Sequence, residues 1–173
     1  LFLFFCSLSF GQRLKFKVNN QKDTTVHLIK YFGTKKFYAD TAEMKNGVVE
    51  FDGSKQSSGI LGLLMPGQRY FEFIYNDEDI DLETEGPDYA GNLVVHKSAE
   101  NNVFIPYIRF IGSQKSKMGR LGQERGALSK TDPKFTALTE EIKSVNAGVQ
   151  AYQENIIAEN DGMLVAKIVK MST

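Results

Sequence analysis

The sequence predicts an α+β protein: an antiparallel β-sandwich of seven or eight short strands, then an antiparallel α-helical hairpin and a short third helix. Three observations lead there. Apolar residues alternate with period two from Arg13 to about His96. Turn-forming residues punctuate the same stretch about every 8–12 residues, the spacing of sandwich strands. From Ser98 the apolar period changes to about 3.5, the repeat of packed helices. The change of period divides the chain into a sandwich, residues 12–97, and a helical extension, residues 98–173, with residues 1–11 set apart as an export segment.

Leu14, Phe16 and Val18 alternate with Arg13, Lys15 and Lys17, which makes a strand with one apolar face. Residues 19–23 read as a turn, and TTVHLIKYF, Thr24–Phe32, as the second strand. Residues 37–44 and 47–51 flank Asn46-Gly47, a strong hairpin signal because both residue types tolerate positive φ. Residues 54–59 form a polar loop, and Gly59-Ile60-Leu61-Gly62 reads as a bend or bulge opening the short apolar strand 60–65. Pro66-Gly67 suits the centre of a type II turn. Residues 70–75 return, 76–78 turn, 79–85 alternate Ile80, Leu82 and Thr84 against acidic neighbours, and 93–96 close the set.

In the helical half, Phe135, Leu138, Ile142, Val145, Val149, Tyr152 and Ile156 step by three and four, so they share one seam. Asp132-Pro133 supplies an N-cap and a first-turn proline. The preceding helix, from 98 or 102 to 128, carries Phe104, Tyr107, Ile111, Met118, Leu121 and Leu128 in the same register, weakened at Gln114 and Arg125. A link of residues 129–132 is short enough to make the two helices antiparallel neighbours. The seam closes within that hairpin or across a homodimer. Pro106 predicts a helix that starts near Asn102 or kinks. Gly112, Gly119 and Gly126 share a face, either a close-approach groove or simply a weak helix. A third helix, 163–171, presents Leu164, Val165, Ile168 and Val169, and its apolar face predicts that the polypeptide continues.

Composition narrows the function. Hydrophobic content of 42% and charged content of 24% fit a globular chain with a core. Lysine plus arginine equals aspartate plus glutamate at 21, so the net charge is zero, which argues against nucleic acid or an acidic membrane as the main partner. No later apolar run is long enough for a transmembrane span. Residues 1–12, LFLFFCSLSFGQ, read as the back half of a secretory signal peptide, with small residues at Ser9 and Gly11 before a cut at Gln12. This predicts an exported protein of the periplasm or cell envelope. The single cysteine, Cys6, lies inside that segment; Phe4 and Phe5 before it disfavour lipid attachment. Cleavage removes the only thiol.

No stretch carries a recognisable catalytic motif. Asp77, Asp79 and Asp81 match the opening spacing of a calcium loop, but Leu82 stands where that loop needs glycine. An acidic outer strand face explains the run directly. His27 and His96 have no metal-ligand spacing between them. Gly-x-Ser-x-Gly is absent, which leaves a Ser–His–acid hydrolase the weakest reading. The expectation is no catalytic residue, no metal and no cofactor. Tyr70, Phe71, Phe73 and Tyr75 form an aromatic ladder: core packing accounts for two, and the others are a candidate interaction surface.

Lys22-Asp23-Thr24-Thr25-Val26, Phe37-Tyr38-Ala39-Asp40-Thr41, Tyr70-Phe71-Glu72-Phe73-Ile74, Asp81-Leu82-Glu83-Thr84 and Ser98-Ala99-Glu100-Asn101-Asn102 occur in order. Together they resemble a DUF4369-like N-terminal domain of Bacteroidetes exported proteins, which precedes a thioredoxin-like or peroxiredoxin-like disulfide-exchange domain. Ala151-Tyr152-Gln153-Glu154 and Ile156–Asn160 resemble the helical segment of that family. The resemblance implies a non-catalytic accessory or interaction module whose partner is a C-terminal redox domain of the same parent chain. The alternative is a free-standing envelope protein that binds a ligand or peptide.

Overall fold

The computed structural model describes residues 11–173; residues 1–10, with Cys6 and nearly all of the expected export segment of residues 1–11, lie outside the described residues. Among these residues eight strands and three α-helices follow one another. They are β1 (Arg13–Asn19), β2 (Thr24–Phe32), β3 (Lys35–Met44), β4 (Val48–Asp52), β5 (Gly59–Met65), β6 (Arg69–Tyr75), β7 (Ile80–Glu85), β8 (Val94–Lys97), α1 (Ala99–Gly126), α2 (Pro133–Glu159) and α3 (Leu164–Met171). The chain forms two compact units, dividing inside α1 between Asn102 and Val103.

The first unit is a sandwich of two four-stranded sheets. Sheet A has the order β4-β1-β7-β8 and sheet B the order β3-β2-β5-β6. Pairing is antiparallel with one exception: β1 and β7 run parallel, Leu14 opposite Ile80 and Phe16 opposite Leu82. Local alternation says which side chains point inward but not which strand lies alongside, so the parallel pair was not legible in the sequence. Phe16 of β1 sits at the centre, 5.0 Å from the Phe73 ring and 6.1 Å from Phe71, both on β6 of the opposite sheet. The Phe51 ring on neighbouring β4 is 6.2 Å away. Leu14, Val26, Leu28, Leu63 and Leu82 complete a core with no measurable exposure at these positions. Burying a phenylalanine contributes about 1.5–3 kcal/mol, with about 0.5–1.5 more for each well-oriented ring pair.

The Asn46-Gly47 turn forms as predicted. Asn46 and Gly47 have φ of 51° and 74°, and Lys45 and Val48 exchange both backbone hydrogen bonds at 2.9 Å. It joins β3 of sheet B to β4 of sheet A, so the hairpin is the corner at which the chain changes sheets. A Cβ at Gly47 would lie 2.6 Å from the Val18 carbonyl oxygen, so glycine is required there for space as well as for φ. The bulge falls in β3 rather than in β5. The β5–β6 register is unbroken from Gly59 to Met65, whereas β2–β3 slips between Leu28 and Ile29 and leaves Ala39 unpaired.

In the second unit α1 and α2 form the predicted hairpin, with Leu121, Leu138 and Val145 buried together and Met118, Leu128 and Ile142 against them. These six side chains of the seam pack against one another within the hairpin. Arg125, at a seam position, lies over the Phe135 ring at 5.7 Å, covering it with its guanidinium. Asp132 accepts a bond from the Lys134 N–H and caps α2 ahead of Pro133. α3 buries Val165 and Val169. The Tyr107 hydroxyl is 2.9 Å from Ser172 Oγ and accepts from Gln153 Nε2 at 3.1 Å, a knot that joins both long helices to the chain end.

α1 begins at Ala99, beside the earlier of its two expected starts, and takes Pro106 into its interior, where the Asn102 carbonyl lacks its usual i+4 donor. A Cβ added at Gly112, Gly119 or Gly126 would meet nothing within 4 Å, so no neighbour uses these glycines for close approach.

Candidate functional site

Period two decides the ladder on β6. Phe71, Phe73 and Tyr75 share one parity and are all buried in the core. Tyr70, of the opposite parity, is 38% exposed and is the one of the four that reaches the surface. The candidate surface read from the sequence therefore shrinks to Tyr70, and the neighbours that complete it come from other strands.

Those neighbours lie on the outer face of sheet B. Register builds two rungs across it: Thr41–His27–Leu64–Tyr70 and Tyr38–Ile29–Gly62–Glu72. Gly62 interrupts the second rung. Ile29 leans into the space, so that a Cβ at Gly62 would come within 2.9 Å of Ile29 Cγ1. The result is a groove of about 510 Å³ lined by Ile29, Lys36, Phe37, Tyr38, Leu64, Gln68 and Tyr70. Its apolar floor is Ile29 and Leu64, and its walls are aromatic.

The walls are held in place by specific contacts. The Lys36 ammonium lies 3.7 Å from the Tyr70 ring centroid, a cation–π contact across the groove. The His27 ring lies against Tyr38 at 4.7 Å, and His27 Nδ1 is 2.8 Å from Thr41 Oγ1. The Tyr31 hydroxyl donates to the Glu72 carboxylate. Burial, then that carboxylate, push the Tyr31 hydroxyl above its ordinary range, so it stays a donor. Tyr38, 68% exposed, and Phe37, 46% exposed, sit on the edge strand β3. Beside them the outer backbone edge of sheet B continues.

The far edge of sheet B is closed differently. Asn101, fully buried, accepts from the Ile74 N–H at 2.8 Å and donates to the Ile74 carbonyl at 2.7 Å. Its side-chain amide thus stands in for one residue of a missing neighbour strand. Ser98 Oγ caps the helix by accepting from the Asn101 N–H, and Glu78 accepts from Ala99 N–H and from the Ser98 hydroxyl. Sequence reasoning quoted Ser98–Asn102 only as part of a resemblance. The Ser-x-x-Asn spacing before an apolar period was the available signal for the cap; the bond to Ile74 had none.

The acidic run settles into sheet A. Ile80 and Leu82 are buried, while Asp79, Asp81 and Glu83 meet Lys97, Lys15 and Lys17 at 2.7, 2.8 and 2.9 Å. Lys17, Asn19 and His96 all bond Glu83, and they lower its carboxyl to about 2. Of the carboxylates that suggested a calcium loop, Asp79 and Asp81 meet lysines, while Asp77 accepts from the Ser58 and Tyr75 hydroxyls. The two histidines lie on different sheets: His27 meets a hydroxyl, Thr41, and His96 a carboxylate, Glu83. The partners a triad needs at one imidazole are divided between two.

Both the groove and the Asn101 clamp lie within the stretch matched by a family profile described as "Domain of unknown function (DUF4369)", residues 13–104, just over half the chain. The chain belongs to this family. The DUF4369 segment takes in all eight strands and the start of α1, and it ends two residues past the division between the units. The second unit lies almost wholly beyond it. No curated protein matches the chain.

Proposed function

We propose that this chain is a non-catalytic interaction module of an exported thiol-disulfide oxidoreductase-type protein, and that it takes its partner on the outer face of sheet B. The observation that carries the reading is the groove between Tyr38 and Tyr70, apolar at its floor and open to solvent at its aromatic walls. Aromatic side chains supply large contact area at low conformational cost, and exposed clusters of them mark binding surfaces. The export segment supports a periplasmic or envelope location. The resemblance to Bacteroidetes proteins with a disulfide-exchange domain supports a redox parent, with the chemistry in a Cys-x-x-Cys domain of that parent.

Two measurements test the proposal. The coding sequence beyond Thr173 should open into a thioredoxin-like domain with Cys-x-x-Cys; an early stop would sever the redox link. That parent domain, added in trans to the chain, should shift the amide resonances of Ile29, Tyr38 and Tyr70, and Tyr38→Ala with Tyr70→Ala should weaken binding about tenfold or more. Shifts confined to the helical unit would overturn the assignment of the face. A second reading, a free-standing envelope binding protein, is favoured by the unpaired outer edge of β3 beside the groove, which suits an extended peptide. It predicts the same resonance shifts with peptides and none with the redox domain.

A further inference from the structure

The β2–β3 hairpin, whose Lys36, Phe37 and Tyr38 line the groove, extends past it to a tip at Lys30, Phe32 and Lys35 that the groove does not use. The β2–β5 ladder ends at Lys30 opposite Leu61. Beyond it, Tyr31 opposite Lys36 and Phe32 opposite Lys35 continue as a two-stranded ribbon around Gly33. With Lys30 opposite Phe37, each of the last three rungs joins one lysine to one aromatic ring. Residues 32–38 are exposed without interruption, and Phe32 at the tip is 80% exposed. Residues 30–38, KYFGTKKFY, contain three lysines and no acidic residue. Among the described residues, no carboxylate pairs with Lys30, Lys35 or Lys36.

We infer that this hairpin tip is a docking element for an anionic phospholipid surface, with Phe32 entering the headgroup boundary and Lys30, Lys35 and Lys36 meeting lipid phosphates. Charge complementarity points to that occupant. The chain is neutral overall, yet this ribbon concentrates three lysines with no carboxylate partner among the described residues, Lys36 lying over the Tyr70 ring. Shape separates a lipid surface from a folded partner. The tip is a two-stranded end exposed without interruption from residue 32 to 38, and Phe32, Lys30 and Lys35 are outside the groove that would seat a folded partner. Aromatic rings at a membrane interface keep their apolar bodies in the boundary, while lysine stems lie along it with their ammonium groups in the phosphate layer. One lysine near an anionic leaflet is worth about a fivefold gain in partitioning, and three about a hundredfold. Burying the Phe32 ring adds about tenfold or more. The product is a weak, reversible, salt-sensitive attachment. It does not rest on the groove reading.

The test is co-sedimentation of the chain beginning at Gln12, which keeps every described strand and helix, with vesicles of phosphatidylcholine alone or mixed with phosphatidylglycerol. Binding is expected to the mixed vesicles only, and to disappear in high salt. Phe32→Ser should weaken it about tenfold, and the triple change Lys30→Gln, Lys35→Gln, Lys36→Gln about a hundredfold. The corresponding triple arginine variant should bind like the parent. Phe32, Lys30 and Lys35 are not among the groove's lining residues, so the Phe32→Ser effect separates this surface from the groove. Thermal melts establish that each variant folds; should the glutamine variant unfold, the salt titration and Phe32→Ser still decide. Equal pelleting with both vesicle types, binding unchanged by Phe32→Ser, or binding to soluble polyglutamate in place of vesicles would each overturn the inference.

Discussion

The two outer faces of the sandwich are built on one core and are dressed in opposite ways. On sheet A, charges meet in pairs across the strands: Lys15 with Asp81, Lys17 and His96 with Glu83, Lys97 with Asp79, Arg13 with Glu50. On sheet B, the outer face carries Tyr38, Tyr70, Ile29 and Leu64 around a groove, and its lysines lie over rings or in solvent. A face whose charges satisfy one another has little left to offer a partner. A face with exposed rings and unpaired cations keeps free energy of association in reserve. The contrast says where to look for function: on sheet B, the face the proposal assigns to a partner, while the paired charges of sheet A discourage edge pairing.

The largest effect should come from the element that both faces share. Phe16→Ala removes a ring that touches Phe51, Phe71 and Phe73, and should cost about 3–5 kcal/mol in urea denaturation. Both sheets should lose amide exchange protection together. Loss confined to sheet A would break the comparison by showing two cores instead of one.

Next comes the edge. Asn101→Leu leaves the Ile74 N–H and carbonyl without their side-chain partner in a buried place and should cost about 2–4 kcal/mol. Ile74 exchange should accelerate more than that of β3 amides. An unchanged Ile74 rate would show that the β6 edge is closed by something other than this amide.

The smallest effect concerns Glu83 and sharpens the contrast directly. Its folded-state carboxyl is lowered to about 2, first by Lys17, then by Asn19 and His96. A carboxyl lowered on folding stabilises the fold fully above its ordinary value, and that contribution is lost as pH falls from about 4.5 toward about 2. Glu83→Gln should therefore flatten the decline in melting temperature over that window. The shift should be modest because the pairs are partly exposed. Binding at the sheet B groove at neutral pH should not change.

Much of the local structure was legible. Thr24–Phe32 is a strand with the predicted ends, Asn46-Gly47 turns as its positive-φ preference requires, and Asp132 caps the helix that Pro133 opens. These features depend on a few neighbouring residues. Phe71, Phe73 and Tyr75 could have been assigned to the core from parity alone, since they are spaced by two. The groove was less legible because its lining comes from β2, β3, β5 and β6, and only the register brings Tyr38, Ile29, Gly62 and Glu72 into one rung. Of the two starts left open for α1 the earlier holds, because a proline inside a helix costs one hydrogen bond, which the rest of a long helix outweighs.

The amino-acid sequence by itself determined the two periods, the order of strands and helices, and the turns and caps. These follow from backbone preference and from the alternation of apolar and polar side chains, both short-range. The tertiary structure decided which strands lie side by side, the one parallel pair, the closing of β6 by Asn101, and which outer face is left open. Those outcomes depend on lateral partners tens of residues apart in the chain. Such partners are chosen by mutual packing of whole faces, and no local pattern encodes them.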